Sequence, residues 1–266
     1  MAEGVFSLTV GARLAVPLPA DNTGGASPAP TAATPPLQPW RLPVRGLAVF
    51  HGAGNVARLS HYFLPRLLLE GKRVLFLDGA NSADPRLLER FARERNVPFE
   101  RFNRGIQIAR AFTCFQLTEL IARVPKFLAD FPADVVIVTA FPDLYFDEDV
   151  RDWNARVAFE QGLRNLSHVA AGLSRHDGGV KPPLQIVPPF GSAAVSAASG
   201  QDARAPGCAA VAVFSAMQDF APPPARRRFF PALCAAASEV WRFSLDAENR
   251  LRLTCTQQAL KKQLNH

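Results

Sequence analysis

Short runs of consecutive apolar residues alternate with longer stretches of helical periodicity through the middle of the chain. Runs of four or five apolar residues are typical of strands that are buried on both faces of a parallel sheet. Apolar positions three or four residues apart are typical of amphipathic helices. The pattern therefore predicts an α/β domain, in which helices cover both faces of a mainly parallel sheet.

The predicted strands are short and mostly end at a turn residue. They are predicted at 46–50, 74–77, 106–109, 134–138 and 183–187, with a further candidate at 211–214. Two more, at 239–243 and 251–256, are separated by polar residues and predict a hairpin that adds an antiparallel edge.

The predicted helices fill the intervals between the strands. They are predicted at 56–70, 84–95, 113–123 and 152–173. Pro65 lies inside the first of them and predicts a kink or a break, because proline lacks the N–H that a helix interior needs. Asp84 and Pro85 suit the N-cap and the first position of the second.

The chain outside this core has a different composition. Residues 1–16 contain an alternating apolar stretch, Val5 to Val16, that predicts a single strand or an arm. Residues 17–43 are rich in proline, which predicts a linker that is either disordered or lies as a strap along the domain. We expect residues 44–258 to form the α/β domain, with a flexible loop at 188–207, and residues 259–266 to form a flexible tail.

Length and cysteine content favour a soluble intracellular protein whose core needs neither disulfides nor a metal. The chain has 266 residues, enough for one large domain or two small ones. Its four cysteines are scattered without a C-x-x-C pair, which argues against a disulfide scaffold or a structural zinc site. No apolar run reaches the roughly 18–20 residues that span a bilayer. We expect a cytoplasmic protein with no membrane partner.

The charge permits a polyanionic partner. The formal net charge is +7, and only five of the 30 basic residues are lysines. The densest basic cluster is Arg226-Arg227-Arg228, followed by Phe229 and Phe230. Arginines neutralise phosphates and aromatic rings stack on unpaired bases, so Arg226, Arg227, Arg228 and Phe229 form a candidate site for single-stranded DNA. The alternative is a solvated arginine run whose phenylalanines return to the core.

A glycine-rich turn follows the first predicted strand of the core. Compared with the phosphate-binding pattern G-x-x-x-x-G-K-[ST], Gly52 fits the first position, but Ala57, Arg58 and Leu59 replace the second glycine, the lysine and the hydroxyl. Gly52, Gly54 and Arg58 therefore form a candidate degenerate phosphate loop. The alternative is an ordinary turn between a strand and a helix.

Other reactive side chains give weaker signals. Asp147, Glu148 and Asp149 could hold a magnesium ion, but carboxylates at this place also suit the start of the following helix. His51 and His61 have no convergent partner in the sequence, so neither is assigned a catalytic role. We expect no metal site and no hydrolase.

From about Leu42 to Val169 the chain resembles the ATPase core of the RecA/RadA-type recombinases. The segments that carry the resemblance are Gly46–Gly52, Val74–Asn81, Ile106–Leu117, and Val135–Val138 with Leu144-Tyr145. The resemblance implies a three-layer sheet of RecA-like P-loop NTPase topology, here with a C-terminal antiparallel hairpin.

The chain departs from that family at the positions that hydrolyse ATP. Thr139-Ala140 stand where the family has its Walker B acid, and Asp143 is the nearest acid. Gly79-Ala80-Asn81 stand where it has the catalytic glutamate, with Asp78 beside them. Since phosphoryl transfer depends on lysine, magnesium and these acids, we expect no catalytic residues and no bound cofactor.

The resemblance and the departures together predict a non-catalytic scaffold or accessory factor in DNA recombination or repair. Its expected partners are single-stranded DNA and a recombination or repair protein. One alternative is an atypical ATPase, in which Arg58 replaces the lysine and Asp78 or Asp143 holds magnesium. Another is a protein-interaction module without DNA affinity.

Overall fold

The computed structural model describes residues 5–6, 41–43, 45–52, 54–172, 210–216, 222–247 and 251–258. These residues contain eight strands that form one sheet. The strands are β1 (Val5–Phe6), β2 (Leu47–Gly52), β3 (Val74–Asp78), β4 (Ile106–Arg110), β5 (Val135–Thr139), β6 (Ala210–Ser215), β7 (Glu239–Leu245) and β8 (Leu251–Gln258).

The helices in the described residues are short except for one that follows the fifth strand. They are α1 (Val56–Leu59), α2 (Leu64–Leu69), α3 (Pro85–Arg93), α4 (Phe99–Arg104), α5 (Cys114–Ala122), α6 (Val124–Asp130), α7 (Asp152–Ala170) and α8 (Phe229–Ala236). Single 3-10 turns occur at Ser60–Phe63, Asp143–Phe146 and Pro224–Arg226.

Six adjacent strands of the sheet run parallel. Their order is β4-β3-β5-β6-β2-β7, and β8 then pairs antiparallel with β7. The short β1 pairs antiparallel with β8 at the outer edge. The predicted α/β class, the mainly parallel sheet and the antiparallel C-terminal hairpin are therefore confirmed.

The buried side chains of each strand alternate between the two faces of the sheet. In β2, Leu47 and Val49 join a core with α5, α7 and α8, whereas Ala48 and Phe50 join a second core with α1 to α4. In the second core the Phe50 ring stacks on Phe214 with ring centroids 4.9 Å apart. Helices thus cover both faces, and the fold has three layers.

The first predicted helix is broken, as Pro65 indicated, but the break precedes the proline. The 3-10 turn Ser60–Phe63 separates α1 from α2, and Pro65 lies in the first turn of α2, where its missing N–H costs nothing. Asp84 caps α3 through its side chain, as predicted. The predicted strand 183–187, most of the 17–43 linker, the 188–207 loop and the 259–266 tail lie outside the described residues.

Candidate functional site at the carboxyl edge of the sheet

The connections from two neighbouring central strands leave the sheet on opposite sides. After β2 the chain enters α1, on the face that carries α1 to α4. The next described helix after β6 is α8, on the face that carries α5 and α7. In open α/β sheets such a divergence marks the crevice where ligands bind, outside the carboxyl ends of the strands. We call the space beyond the ends of β2 and β6 the switch-point crevice.

Gly52, at the end of β2, is held close to β7. A Cβ atom at Gly52 would lie 2.7 Å from the Phe243 carbonyl oxygen and 2.9 Å from the Phe243 Cβ. Glycine is therefore required here by strand packing, independently of any phosphate. Gly54 has a φ of +77°, which glycine adopts without strain, and it is exposed.

The amino end of α1 is capped by its own residues. Asn55 Oδ1 accepts a 3.1 Å hydrogen bond from the Arg58 N–H, and the Val56 N–H donates to the Gly54 carbonyl at 2.8 Å. The Arg58 guanidinium lies 3.4 Å from Asp84. Two of the N–H groups that a phosphate loop would offer are thus already paired, while phosphate binding by Gly52, Gly54 and Arg58 stays a prediction.

A shallow polar cleft lies beside this turn, on the α1–α4 face. It has a volume of about 320 Å³ and lies between the start of α1 and the loop from β3 to α3. Asn55, Arg58, Asn81, Ser82 and Asp84 contribute its polar lining.

Asp78 is fully buried at the end of β3 and organises the loop after it. Its carboxylate accepts hydrogen bonds from the backbone N–H groups of Ser82 and Ala83, both at 2.9 Å, and from Thr139 Oγ1 at 3.2 Å. Arg110 lies 3.6 Å away, at the end of β4. The carboxylate therefore serves as a structural anchor, with its oxygens engaged by protein donors.

Asp143 joins the ends of β5 and β6 in the same way. It accepts a 2.6 Å hydrogen bond from Ser215 Oγ and a 2.8 Å bond from the Ala216 N–H. Thr139, at the predicted Walker B position, also accepts a bond from the Ala80 N–H at 3.1 Å. The two acids that could have held magnesium, Asp78 and Asp143, are thus both engaged in tying loops to strand ends.

His51 reaches the switch-point crevice with incomplete hydrogen bonding. The residue is 8% exposed, and its Nδ1 is buried without a hydrogen-bond partner. Its ring meets the Phe230 ring edge-on, with centroids 5.1 Å apart. Burial lowers the pKa of His51, and the nearby positive charge of Arg242 lowers it further. The imidazole is therefore neutral at pH 7.

His61, in contrast, has hydrogen-bond partners for both of its ring nitrogens. Its Nε2 accepts from the Asp84 N–H at 3.2 Å, and its Nδ1 lies 3.2 Å from the Arg58 carbonyl oxygen, to which it can donate. Burial lowers the pKa of His61 despite the opposing influence of Asp78 and Asp84. This histidine is a structural link between α1 and α3.

The predicted DNA-binding cluster divides into buried and exposed members. Arg226 is 3% exposed and donates to Asp152 at 2.6 Å and to the carbonyl oxygens of Tyr145, Asp147 and Val150. Phe229 is buried and stacks on the Phe159 ring at 4.4 Å. Since these contacts lie in the interior, the surface that can face a nucleic acid contains Arg227 and Arg228, which are exposed.

The acidic cluster Asp147–Asp149 stabilises the loop before α7. Asp147 accepts from the Asp149 N–H at 3.0 Å just before α7. Within the described ranges, no group of three or more His, Cys, Asp and Glu side chains is arranged to hold a metal ion. Among the helices of the described chain, none combines the length and apolarity that crossing a bilayer requires.

Sequence reasoning missed Ser215, Arg242 and Arg110 as site residues. Ser215 directly follows an apolar run, which places it at a strand end, and this was a usable signal. Arg110 and Arg242 gave no sequence signal, because the residues next to them in the sheet depend on the strand order.

Comparison of the chain with models of known protein families gives no match, and comparison with curated proteins gives no significant match.

Proposed function

We propose that this protein is a non-catalytic member of the RecA-like P-loop architecture that acts as a scaffold or accessory factor in DNA recombination or repair. It binds partners through its surface and leaves nucleotide hydrolysis to other proteins. The sequence resemblance supports the proposed pathway, and the geometry of the site supports the proposed lack of catalysis.

One observation carries the proposal: the two acids that would replace the missing metal-binding acid, Asp78 and Asp143, already accept hydrogen bonds from the protein. β2 lies in the interior of the parallel sheet and leads through a glycine-rich turn into α1, the strand-loop-helix order of a P-loop. Asn55 occupies the amino end of that helix, and Asp78 and Asp143 are held by backbone and hydroxyl donors. Phosphoryl transfer needs such groups free to meet phosphate and magnesium.

A titration with a fluorescent ATP analogue, with and without magnesium, tests the lack of catalysis. We expect no saturable, magnesium-dependent binding. Saturable binding that requires magnesium and is abolished by Arg58→Ala would overturn the proposal in favour of the atypical ATPase.

Single-stranded DNA is the proposed nucleic-acid partner, through Arg227 and Arg228. Fluorescence anisotropy of a labelled oligo(dT) across a salt series measures the phosphate contacts. We expect binding at low salt and, in the variant with Arg227→Ala and Arg228→Ala, a fall of about 1.4 in the slope of log K against log salt, roughly 0.7 per lost phosphate contact. Arg86→Ala with Arg104→Ala, on α3 and α4, removes the same charge from the opposite face and should leave the slope unchanged.

The exposed aromatic side chains favour a second candidate, the protein-interaction module without DNA affinity. Phe112 and Trp153 are 64% and 68% exposed, and Phe115 is also exposed. They lie at the starts of α5 and α7, two helices that pack on each other. The oligo(dT) titration separates the two candidates, because absence of binding at low salt removes DNA from the proposal and leaves the interaction module.

A further inference from the structure

A row of three side chains crosses the switch-point crevice on the face covered by α8. In the sheet register, His51 of β2 is paired with Ser215 of β6 on one side and with Arg242 of β7 on the other. Registered neighbours on adjacent strands project from the same face of a sheet. Val49 and Val213, two residues earlier on their strands, belong to the core beneath α8, which fixes the face on which the row lies.

The hydrogen-bonding capacity of this row is incompletely used. Ser215 is fully buried and donates to Asp143. His51 Nδ1 is buried without a partner, and buried polar atoms in this state are rare enough to require an explanation. A neutral imidazole has one donor nitrogen and one acceptor nitrogen. If the proton is on Nε2, the buried Nδ1 is an unprotonated acceptor. The Nε2–H group is then free to donate to a ligand.

The charge next to His51 is positive. Arg242 is exposed, and none of the ion pairs between described residues includes it. Arg227 and Arg228 precede α8, whose second residue, Phe230, contacts the His51 ring. Two acids near this row have partners of their own: Asp143 accepts from the Ser215 hydroxyl and the Ala216 N–H, and Asp246 pairs with Arg252 at 3.1 Å. An anion would therefore bind on the side of His51 that faces Arg242.

We propose that His51 and Arg242 bind a phosphate group at the carboxyl ends of β2 and β7. The guanidinium offers the two-pronged donor geometry that suits phosphate, and the imidazole N–H supplies a further donor. The phosphate belongs either to a small molecule, such as inorganic phosphate or a mononucleotide, or to the backbone of a nucleic acid. This site lies across the sheet from the turn at Gly52–Arg58 and does not depend on the function proposed above.

Titration calorimetry of the full chain with inorganic phosphate at low salt tests the site. Three variants are compared: Arg242→Ala, His51→Phe and the control Arg104→Ala, which removes one exposed positive charge from α4. We expect saturable binding that Arg242→Ala weakens about 10- to 100-fold and His51→Phe about 10-fold, the effects typical of hydrogen bonds to charged groups. Arg104→Ala should change the affinity by less than about twofold.

The melting temperature of His51→Phe separates a lost ligand contact from a damaged fold. His51→Phe keeps a ring against Phe230 and removes the unpaired nitrogen, so its melting temperature should be at least that of the wild type. A stable His51→Phe protein that has lost phosphate binding therefore supports a ligand role. No saturation in the wild type, unchanged binding in Arg242→Ala, or an equal loss in Arg104→Ala would overturn the proposal.

Competition experiments identify the source of the phosphate. If AMP displaces inorganic phosphate and oligo(dT) does not, the site belongs to a small molecule. If oligo(dT) displaces inorganic phosphate, the site binds the backbone of a nucleic acid. If Arg242→Ala still binds DNA, the proposed scaffold function is unaffected. The phosphate titration alone then decides whether this site exists.

Discussion

The backbone N–H of Asp84 donates a 3.2 Å hydrogen bond to Nε2 of His61, and this bond ties the start of α3 to the turn between α1 and α2. His61 is 1% exposed, and its Nδ1 faces the Arg58 carbonyl oxygen at 3.2 Å. The imidazole therefore accepts on one side and donates on the other, an arrangement that only the neutral ring can make.

Replacing His61 by phenylalanine is expected to destabilise the protein. The substitution keeps an aromatic ring but leaves the Asp84 N–H and the Arg58 carbonyl without their partner, which costs about 2–3 kcal/mol. Urea unfolding at pH 7.5 measures the change. His168→Phe, at an exposed position of α7, is the control and should change the free energy of unfolding by less than about 0.5 kcal/mol. Equal stability of the two variants would contradict the structural role of His61.

The neutral state of His61 also predicts how stability depends on pH. Its pKa in the folded protein lies below the ordinary 6.5 because burial disfavours the charged ring. Between the two pKa values the unfolded chain binds more protons than the folded one, so the free energy of unfolding falls as the pH is lowered below about 6.5. His51, whose pKa is lowered in the same direction, adds to the fall.

Urea midpoints measured from pH 7.5 to pH 5 check this dependence. The His61→Phe variant should show a shallower fall than the wild type, because one of the two histidines that are buried within the described residues is gone. The variant with both His61→Phe and His51→Phe should be nearly flat across this range. A wild-type stability that stays constant or rises on acidification to pH 5 would refute the assignment of neutral buried histidines.

The central strands were predictable from the sequence because a buried parallel strand is apolar along almost its whole length. The runs at 74–77 and 134–138 match β3 and β5 almost to the residue. The helices α6 and α8 were missed because each contains a proline, Pro125 or Pro231, that looks like a helix breaker. Both prolines lie near the amino end of their helices, where proline is tolerated. The start of α5 carried a readable signal, since Thr113 is an N-cap whose Oγ1 accepts from the Gln116 N–H, while the Gln116 side chain accepts from the Phe112 N–H.

The candidate site was less predictable because its contacts join residues that are far apart in sequence. Arg226 looks like part of a solvated arginine run, yet its partners in the Tyr145–Asp152 segment are more than 70 residues away. The unpaired nitrogen of His51 becomes visible only when the strand order places β6 and β7 beside β2. Local patterns carry no information on either point.

Replacing Asp78 by asparagine is expected to loosen the loop from β3 to α3. One oxygen becomes an NH₂ group, which must then face a backbone or hydroxyl donor that the carboxylate accepted from. The expected cost is about 2–3 kcal/mol in the free energy of unfolding. Asp130→Asn, at the exposed end of α6, is the matched control. If both substitutions were neutral by urea unfolding, Asp78 would not be the anchor of this loop.

Arg226 and Arg227 should behave differently although they are adjacent. Arg226→Ala leaves three carbonyl oxygens and Asp152 without their donor, and the expected loss is about 2–4 kcal/mol. Arg227→Ala, at an exposed position, should stay within about 0.5 kcal/mol of the wild type. Chemical denaturation of the two variants provides the comparison. Similar stabilities would mean that Arg226 is free to act at the surface.

Gly162 in α7 tests how tightly the helix packs on the segment that follows β5. Alanine normally stabilises a helix interior by about 0.5–1 kcal/mol relative to glycine. At Gly162, however, the added Cβ would lie 2.9 Å from Phe141 Cε2 and 3.2 Å from the Tyr145 hydroxyl oxygen. Phe141 and Tyr145 are fully buried, and the Phe141 ring is held between Tyr145 and Phe159.

Since these rings cannot move without disturbing the core, Gly162→Ala is expected to lower the free energy of unfolding by about 1–2 kcal/mol in spite of the helix preference. Asn154→Ala, at an exposed position of the same helix, should raise it by a few tenths of a kcal/mol, because there the helix preference acts alone. Thermal melts of both variants give the two signs directly. A stabilised Gly162→Ala protein would mean that α7 lies farther from Phe141 than the structure places it.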